Sequence, residues 1–174
     1  MRIVAGTLGG RTIAIPSTRN TRPMTHKVRA ALFDMLGPLD GLTVLDAYAG
    51  SGALGFEALS RGATHVDAIE LAGPALKAIQ SNIDSLKVEG LYKVFPMKVE
   101  SWLEKNESKY DVIFAMPPYA LIDREVLTQI GSHLKEDSIM VVEFSRHSPP
   151  IELHGLSLLK QKDYGDPILA IYRK

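Results

Sequence analysis

The sequence predicts an α/β domain: a mainly parallel sheet covered by helices on both faces and closed by an antiparallel hairpin. Three observations carry this. After the N-terminal stretch, short apolar runs alternate with segments of helical periodicity. A glycine-rich turn joins the first of these runs directly to a helical segment. The tail holds two extended runs with only a turn between them, and strands so joined pair antiparallel.

The elements follow in chain order. Arg2–Ala5 and Thr12–Ile15 flank Gly6, Gly9 and Gly10 and read as a small hairpin. Thr25 is placed to cap a helix whose apolar face is Val28, Leu32, Met35 and Leu36, and Gly37 ends it. Leu42–Asp46 is the first buried strand and Ala53–Ser60 the helix after it. His65–Ile69 is the second strand, and Pro74 suits the start of a helix with Leu76, Ile79, Ile83 and Leu86 along one face. Tyr92–Pro96 is a third, weaker strand, followed by a short helix around Trp102, which serves as a core anchor. The fourth strand runs from Lys109 or Tyr110 to Ala115 and stops at Pro117 and Pro118. Glu125–Leu134 is helical and Ser138–Phe144 is the fifth strand. Leu156–Lys160 and Pro167–Tyr172, joined through Asp163, Tyr164 and Gly165, form the closing hairpin.

The 174 residues, 45% hydrophobic and 23% charged, fit one globular domain, with residues 1–24 as a basic hairpin and arm. A chain of this size buries roughly 70% of its unfolded surface, so its core needs no covalent staple. There is no cysteine, which excludes thiolate zinc sites, iron–sulfur clusters and cysteine nucleophiles. His26, His65, His133, His147 and His154 show no ligand spacing, so no metal is expected. Ser51 has no evident base partner, and its place between two glycines is explained by a tight turn. No apolar run approaches the roughly 20 residues that cross a bilayer, and the start lacks a signal-peptide core. The expectation is a cytoplasmic monomer with no membrane partner.

Net charge is zero, yet its distribution is uneven. Residues 1–33 carry Arg2, Arg11, Arg19, Arg22, Lys27 and Arg29 with no acid, so this segment is +6 and the remainder of the chain balances it at −6. A basic end on an acidic body offers a local face for phosphates, with Arg11, Arg19, Arg22 and Arg29 as the candidate contacts. The alternative is a solvated arm.

The chemistry-bearing residues lie after strands one, two and four. Asp46, Ala47, Tyr48, Ala49, Gly50, Ser51 and Gly52, with Gly55 beyond, form a GxGxxG pattern opening a helix after a strand, where backbone N–H groups can approach a nucleotide. Glu70, at the end of the second strand, is placed to accept from ribose hydroxyls. These features suit either a dinucleotide or S-adenosylmethionine. The acid at Asp46 and the run Met116, Pro117, Pro118, Tyr119 favour the second, because a rigid turn ending in an exposed aromatic is a platform for an unstacked base.

At these residues the chain resembles, nearly end to end, the bacterial RsmD-type methyltransferases. The matching stretches are RIVAGTLGGR at Arg2–Arg11, TRPMT at Thr21–Thr25, RAALFDML at Arg29–Leu36 and DAYAGSGALGFEALSRGA at Asp46–Ala63. They continue with IEL at Ile69–Leu71, PPY at Pro117–Tyr119 and YGDPILAIYR at Tyr164–Arg173. The resemblance implies a Rossmann-like class I methyltransferase with a seven-stranded sheet, S-adenosylmethionine as cofactor and no metal. It also implies transfer to the exocyclic N2 of a guanine in 16S ribosomal RNA, free or in the assembling small subunit. By the same resemblance Asp46, Ala49, Gly50, Ser51, Gly52, Glu70, Leu71, Lys98 and Val99 border the cofactor, and Met116, Pro117, Pro118 and Tyr119 form the catalytic turn.

Four positions depart from the family. Met116 stands where the family has Asp or Asn before Pro-Pro, and Lys98 where an Asp accepts from the adenine amine. Ala72 replaces a polar residue and His26 an acid. Methionine is a weak acceptor and lysine none. The departures therefore raise an alternative: a relative that keeps the fold and nucleotide or RNA binding but transfers methyl poorly.

Overall fold

The computed structural model describes residues 1–16, 24–148 and 151–174. Its sheet has seven strands: β1 (Thr43–Asp46), β2 (His65–Glu70), β3 (Tyr92–Pro96), β4 (Tyr110–Ala115), β5 (Leu134–Ser145), β6 (Ser157–Asp163) and β7 (Pro167–Arg173). The spatial order is β3-β2-β1-β4-β5-β7-β6. The first five strands run parallel, and β7 pairs antiparallel with both β5 and β6. Among the described residues five α-helices cover it: α1 (His26–Leu36), α2 (Ala53–Ser60), α3 (Gly73–Leu86), α4 (Val99–Leu103) and α5 (Arg124–Ser132).

The sheet divides the core into two apolar clusters. Val44, Val112, Phe114, Val141 and Leu169 face one, with Leu32, Phe33, Phe56 and Ile79 from α1, α2 and α3. Their strand neighbours Leu45, Ile113, Met140, Val142 and Ala170 face the other, with Trp102, Leu127 and Ile130 from α4 and α5. This alternation follows from the period of two along a strand, and burial on both faces explains the near-continuous apolar runs. Trp102 is fully buried against Phe95, Tyr110 and His133, in the anchoring role expected.

Four elements differ from expectation. The N-terminal hairpin shrinks to one bridge between Arg2 and Thr12, because Val4 and Ala5 donate their N–H groups to Glu57 on α2 rather than across a ladder. Helix α5 stops at Ser132, and β5 begins at Leu134, earlier than expected, because Leu134 pairs with Tyr110 before a register shift. Helix α1 turns its Arg29 and Phe33 inward beside Val28 and Leu32, leaving Met35 and Leu36 only half-buried. The cap is as expected, Thr25 Oγ1 accepting from Val28 N at 3.3 Å.

Candidate active site

β1 has β2 on one side and β4 on the other, so the carboxyl ends of β1 and β4 flank the switch point of the sheet, where open α/β sheets bind their ligands. The glycine turn lies there. Gly50 and Gly52 have φ of 57° and 76°, a region that side chains disfavour. A Cβ at Gly52 would meet the Phe56 ring and the Tyr92 hydroxyl at 2.8 Å, and one at Gly55 would meet Tyr92 at 2.7 Å. The glycines therefore let the turn and the start of α2 close over the Tyr92 side chain.

Asp46 ends β1 beneath this turn, with no solvent exposure and no hydrogen-bond partner on either carboxylate oxygen. Burial pushes its carboxyl up to about 7; the nearby Gly55 backbone amide offsets part of this, and the charge of Glu70 adds to it. The Tyr92 hydroxyl is likewise buried and unpartnered, and burial raises it well above its ordinary range. Unmatched polar atoms of this kind cost free energy in the folded protein, and here Asp46 and Tyr92 lie close enough beneath the glycine turn for the charge of one to act on the other.

Glu70 is held in a fixed orientation at the end of β2. Its Oε2 accepts from Gly50 N at 2.7 Å, and its Oε1 from Leu71 N at 2.8 Å and Ala72 N at 2.7 Å. Oε1 is saturated by its two backbone donors, and Oε2 keeps one acceptor site. Ala49 N donates to Ile69 O, and Gly52 N to Ala49 O, so the turn is pinned to β2 and to itself. Ser51 contributes its carbonyl, which accepts from Asn82 Nδ2 at 3.4 Å.

On the β4 side, Met116 is half-buried against the α1–α3 cluster, Pro117 is buried and Pro118 exposed. Tyr119 opens a 3-10 turn, Tyr119–Leu121, and is 41% exposed. Its hydroxyl donates to Oε1 of Glu143 on β5 at 2.9 Å. The structure thus assembles Asp46, Ala49, Gly50, Ser51, Gly52 and Glu70 around one turn, with Met116, Pro117, Pro118 and Tyr119 after the adjacent strand. Leu71 is exposed beside them, Val99 is buried in the α4–α5 cluster, and Lys98 is the exposed N-cap residue of α4.

The basic segment requires a correction. Arg29 does not present itself to phosphates: its side chain is 1% exposed, its Nη2 donates to Arg2 O, and its Nε lies 3.7 Å from Glu57. Burial lowers the guanidinium's tendency to hold its proton, and the Glu57 charge restores part of it. Arg11 is exposed, with Nη2 donating to Ser85 O at 2.5 Å. Arg19 and Arg22 lie outside the described residues.

Sequence reasoning missed Tyr92, Asn82 and Glu143. Tyr92 read only as a strand residue, and Asn82 carries no motif, although a polar residue on the apolar face of α3 was a signal. Glu143, the one acid inside the apolar run of β5, was another. Among the described residues no group of three His, Asp or Glu side chains could hold a metal ion, and no helix is long and apolar enough to cross a membrane.

Comparison with known proteins bears on the whole chain. The family described as "Conserved hypothetical protein 95" matches residues 1–173. The Bacillus subtilis protein YlbH, named as an rRNA methyltransferase, is 35% identical over all of this chain and 99% of its own. The Escherichia coli ribosomal RNA small subunit methyltransferase D is 30% identical over all of this chain and 90% of its own. The chain belongs to the RsmD-type family. Its backbone matches the solved structure of the Escherichia coli protein yhhF, named as a methyltransferase, with a TM-score of 0.90 and 28% identity over all of this chain and 97% of that one. The sheet is accordingly the Rossmann-like methyltransferase sheet, and the RsmD-type sequence blocks at Arg2–Arg11 and Asp46–Ala63 are the two segments that contact each other through Glu57 and Ser60.

Proposed function

We propose that this protein is an S-adenosylmethionine-dependent methyltransferase that acts on the exocyclic N2 of a guanine in 16S ribosomal RNA. The observation that carries the reading is the pairing, on adjacent strands, of a glycine turn over an unpartnered buried acid with a Pro-Pro-Tyr turn. The family's names for its members supply the substrate class.

The residues suit this cofactor. S-adenosylmethionine is cationic, and Asp46 is a buried carboxylate lacking any counter-charge. A cation beside Asp46 favours its ionised form, so binding releases the proton that burial retains. Glu70 turns the one acceptor site left on Oε2 to a ribose hydroxyl, and the glycine turn admits close backbone approach. Lys98 is exposed, so solvent screens its charge from the cofactor. When bound, the cofactor supplies an electrophilic methyl group.

The chain's own contribution is positioning. A guanine amine is a poor nucleophile because its lone pair is delocalised into the ring, so orientation matters more than a strong base. The Tyr119 ring stacks on the base and the Pro117 carbonyl accepts a hydrogen bond from the amine, aligning the lone pair; the proton displaced on methylation passes to solvent. Arg11, with Arg19 and Arg22, grips the RNA backbone. The Met116 thioether adds little as an acceptor. The impaired-relative reading rested on Met116 and Lys98, and it loses ground where Lys98 is solvated and a carboxylate stands on the neighbouring strand.

The test is methyl transfer from labelled S-adenosylmethionine to small ribosomal subunits and to free 16S RNA lacking the modification, followed by nucleoside mass spectrometry. N2-methylguanosine at one site is the expected product. No incorporation, or methyl on another nucleoside, overturns the reading.

A further inference from the structure

Position 116 leaves the catalytic turn without a side-chain acceptor, and the adjacent strand carries one. The last paired residues of β4 and β5 are Ala115 and Val142. One step further along both parallel strands sets Met116 beside Glu143. Side chains alternate along a strand, so Glu143 shares the face of Val141, and its partner on β7, Leu169, lies in the same cluster against which Met116 packs. Glu143 is half-buried, and its Oε1 receives the Tyr119 hydroxyl at 2.9 Å. Burial raises its carboxyl above the usual range, the Tyr119 bond pulls it back, and Asp166 at the head of β7 pushes it up again.

We propose that Glu143 is a positioning residue for methyl transfer: from the neighbouring strand it holds the Tyr119 hydroxyl and so fixes the plane of the ring on which the base stacks. This rests on the methyl-transfer reading above and goes beyond it. Tyr119 follows Pro118 on an exposed turn, and the backbone of a tight turn does not by itself set the χ angles of the ring. The bond at the hydroxyl gives the ring a second point of attachment at its far end. An acid at 116 would act on the amine directly. Glu143 acts one group away, through the platform.

The experiment has two arms. In the first, the protein is labelled with 3-fluorotyrosine and its six tyrosine signals are followed by fluorine NMR, with Tyr119→Phe identifying the relevant one. Glu143→Ala is expected to move and narrow the Tyr119 signal and leave the others in place, while Glu143→Gln, which keeps an amide acceptor, stays close to the parent. In the second, Glu143→Ala is expected to lower kcat by about tenfold to a hundredfold, the range for a misplaced reacting group, with KM for S-adenosylmethionine unchanged and recovery in Glu143→Gln. In a Tyr119→Phe background, Glu143→Ala should cause no further loss. An unmoved Tyr119 signal, or an additive loss in that background, overturns the proposal. If the parent protein transfers no methyl to ribosomal RNA, the functional reading falls, and the NMR arm still decides whether Glu143 orders Tyr119.

Discussion

Asp46 and Glu57 lie on opposite sides of the turn into α2, and both are wholly buried. Glu57, on the back of the helix, is saturated: it accepts from Val4 N at 2.7 Å, Ala5 N at 3.2 Å and Arg61 Nε at 2.9 Å, with Arg29 behind. Asp46, on the front beneath the glycine turn, has no hydrogen bond to either oxygen. A buried charge with full partners holds structure together, and one without them waits for a ligand. The first ties the N-terminal segment to α2; the second lies enclosed beneath the glycine turn. Ser60 reinforces the tie, accepting from Thr7 N and Leu8 N and donating to Ala5 O, and Gly6 is required because a Cβ there would collide with the Ser60 backbone.

The contrast is broken most severely at Glu57. Replacing it with Ala leaves Arg29 buried without its counter-charge and two backbone N–H groups unmatched, so stability should fall by about 3 to 5 kcal/mol in urea unfolding. Cofactor affinity of the remaining folded protein should be nearly unchanged. If affinity falls and stability does not, the roles of the two acids have been reversed.

Asp46→Asn should do the opposite. The folded carboxyl titrates near 7, against about 4 in the unfolded chain. A raised carboxyl contributes stability that is complete below about pH 4 and is lost as pH rises toward 7, at up to roughly 1.4 kcal/mol per pH unit. The Asn variant removes this dependence and should match or exceed the parent's stability at pH 8. Its cofactor affinity should drop by roughly 1.5 to 3 kcal/mol, the value of a hydrogen bond to a charged group. In the parent, S-adenosylmethionine should bind more tightly as pH rises through about 7 and level off above it. Calorimetry across pH 5–9 checks both statements, and a parent affinity independent of pH would remove Asp46 from the cofactor site.

Much of this is readable from the sequence alone. The parallel order follows from alternating periodicity, and the glycine turn, Glu70 and the Pro-Pro-Tyr turn are visible because each is a local pattern whose residues lie close in sequence. What stays hidden is long-range pairing. Arg29 and Glu57 stand on different helices with β1 between them in the chain, and nothing local says that an arginine in a basic segment turns inward to meet an acid on the next helix. The same applies to Tyr119 and Glu143, which meet only because β4 and β5 are neighbours. Charge counting therefore assigned Arg29 to phosphates, while its sequence neighbours Val28 and Leu32 already lay on the buried face.

Gly55 sharpens the contrast at the front of the helix. A methyl group there would press on the Tyr92 ring and hydroxyl and on Val66. Ordinarily Gly→Ala within a helix gains about 0.5 to 1 kcal/mol. Here the gain should be outweighed by overpacking, which typically costs about 1 to 3 kcal/mol, and the glycine turn should shift with Tyr92. A more stable Gly55→Ala protein with unchanged cofactor binding would mean that Tyr92 moves freely and does not shape the turn.

The smallest effect is expected at Arg11, the remaining described arginine of the proposed RNA face. Its guanidinium reaches Ser85 O at the end of α3, yet the side chain stays exposed, so removing it should change stability by only about 1 kcal/mol or less. Its effect should appear in the salt dependence of RNA binding. Losing one phosphate contact lowers the slope of log affinity against log salt by about 0.7 on single-stranded and 0.9 on double-stranded RNA regions. Arg29→Ala supplies the control, since an interior arginine changes stability and leaves that slope intact in the folded fraction. If Arg11→Ala leaves the slope unchanged as well, then Arg11 belongs with Glu57 and Ser60 among the residues that fasten the N-terminal segment, and RNA contact falls to other parts of the surface.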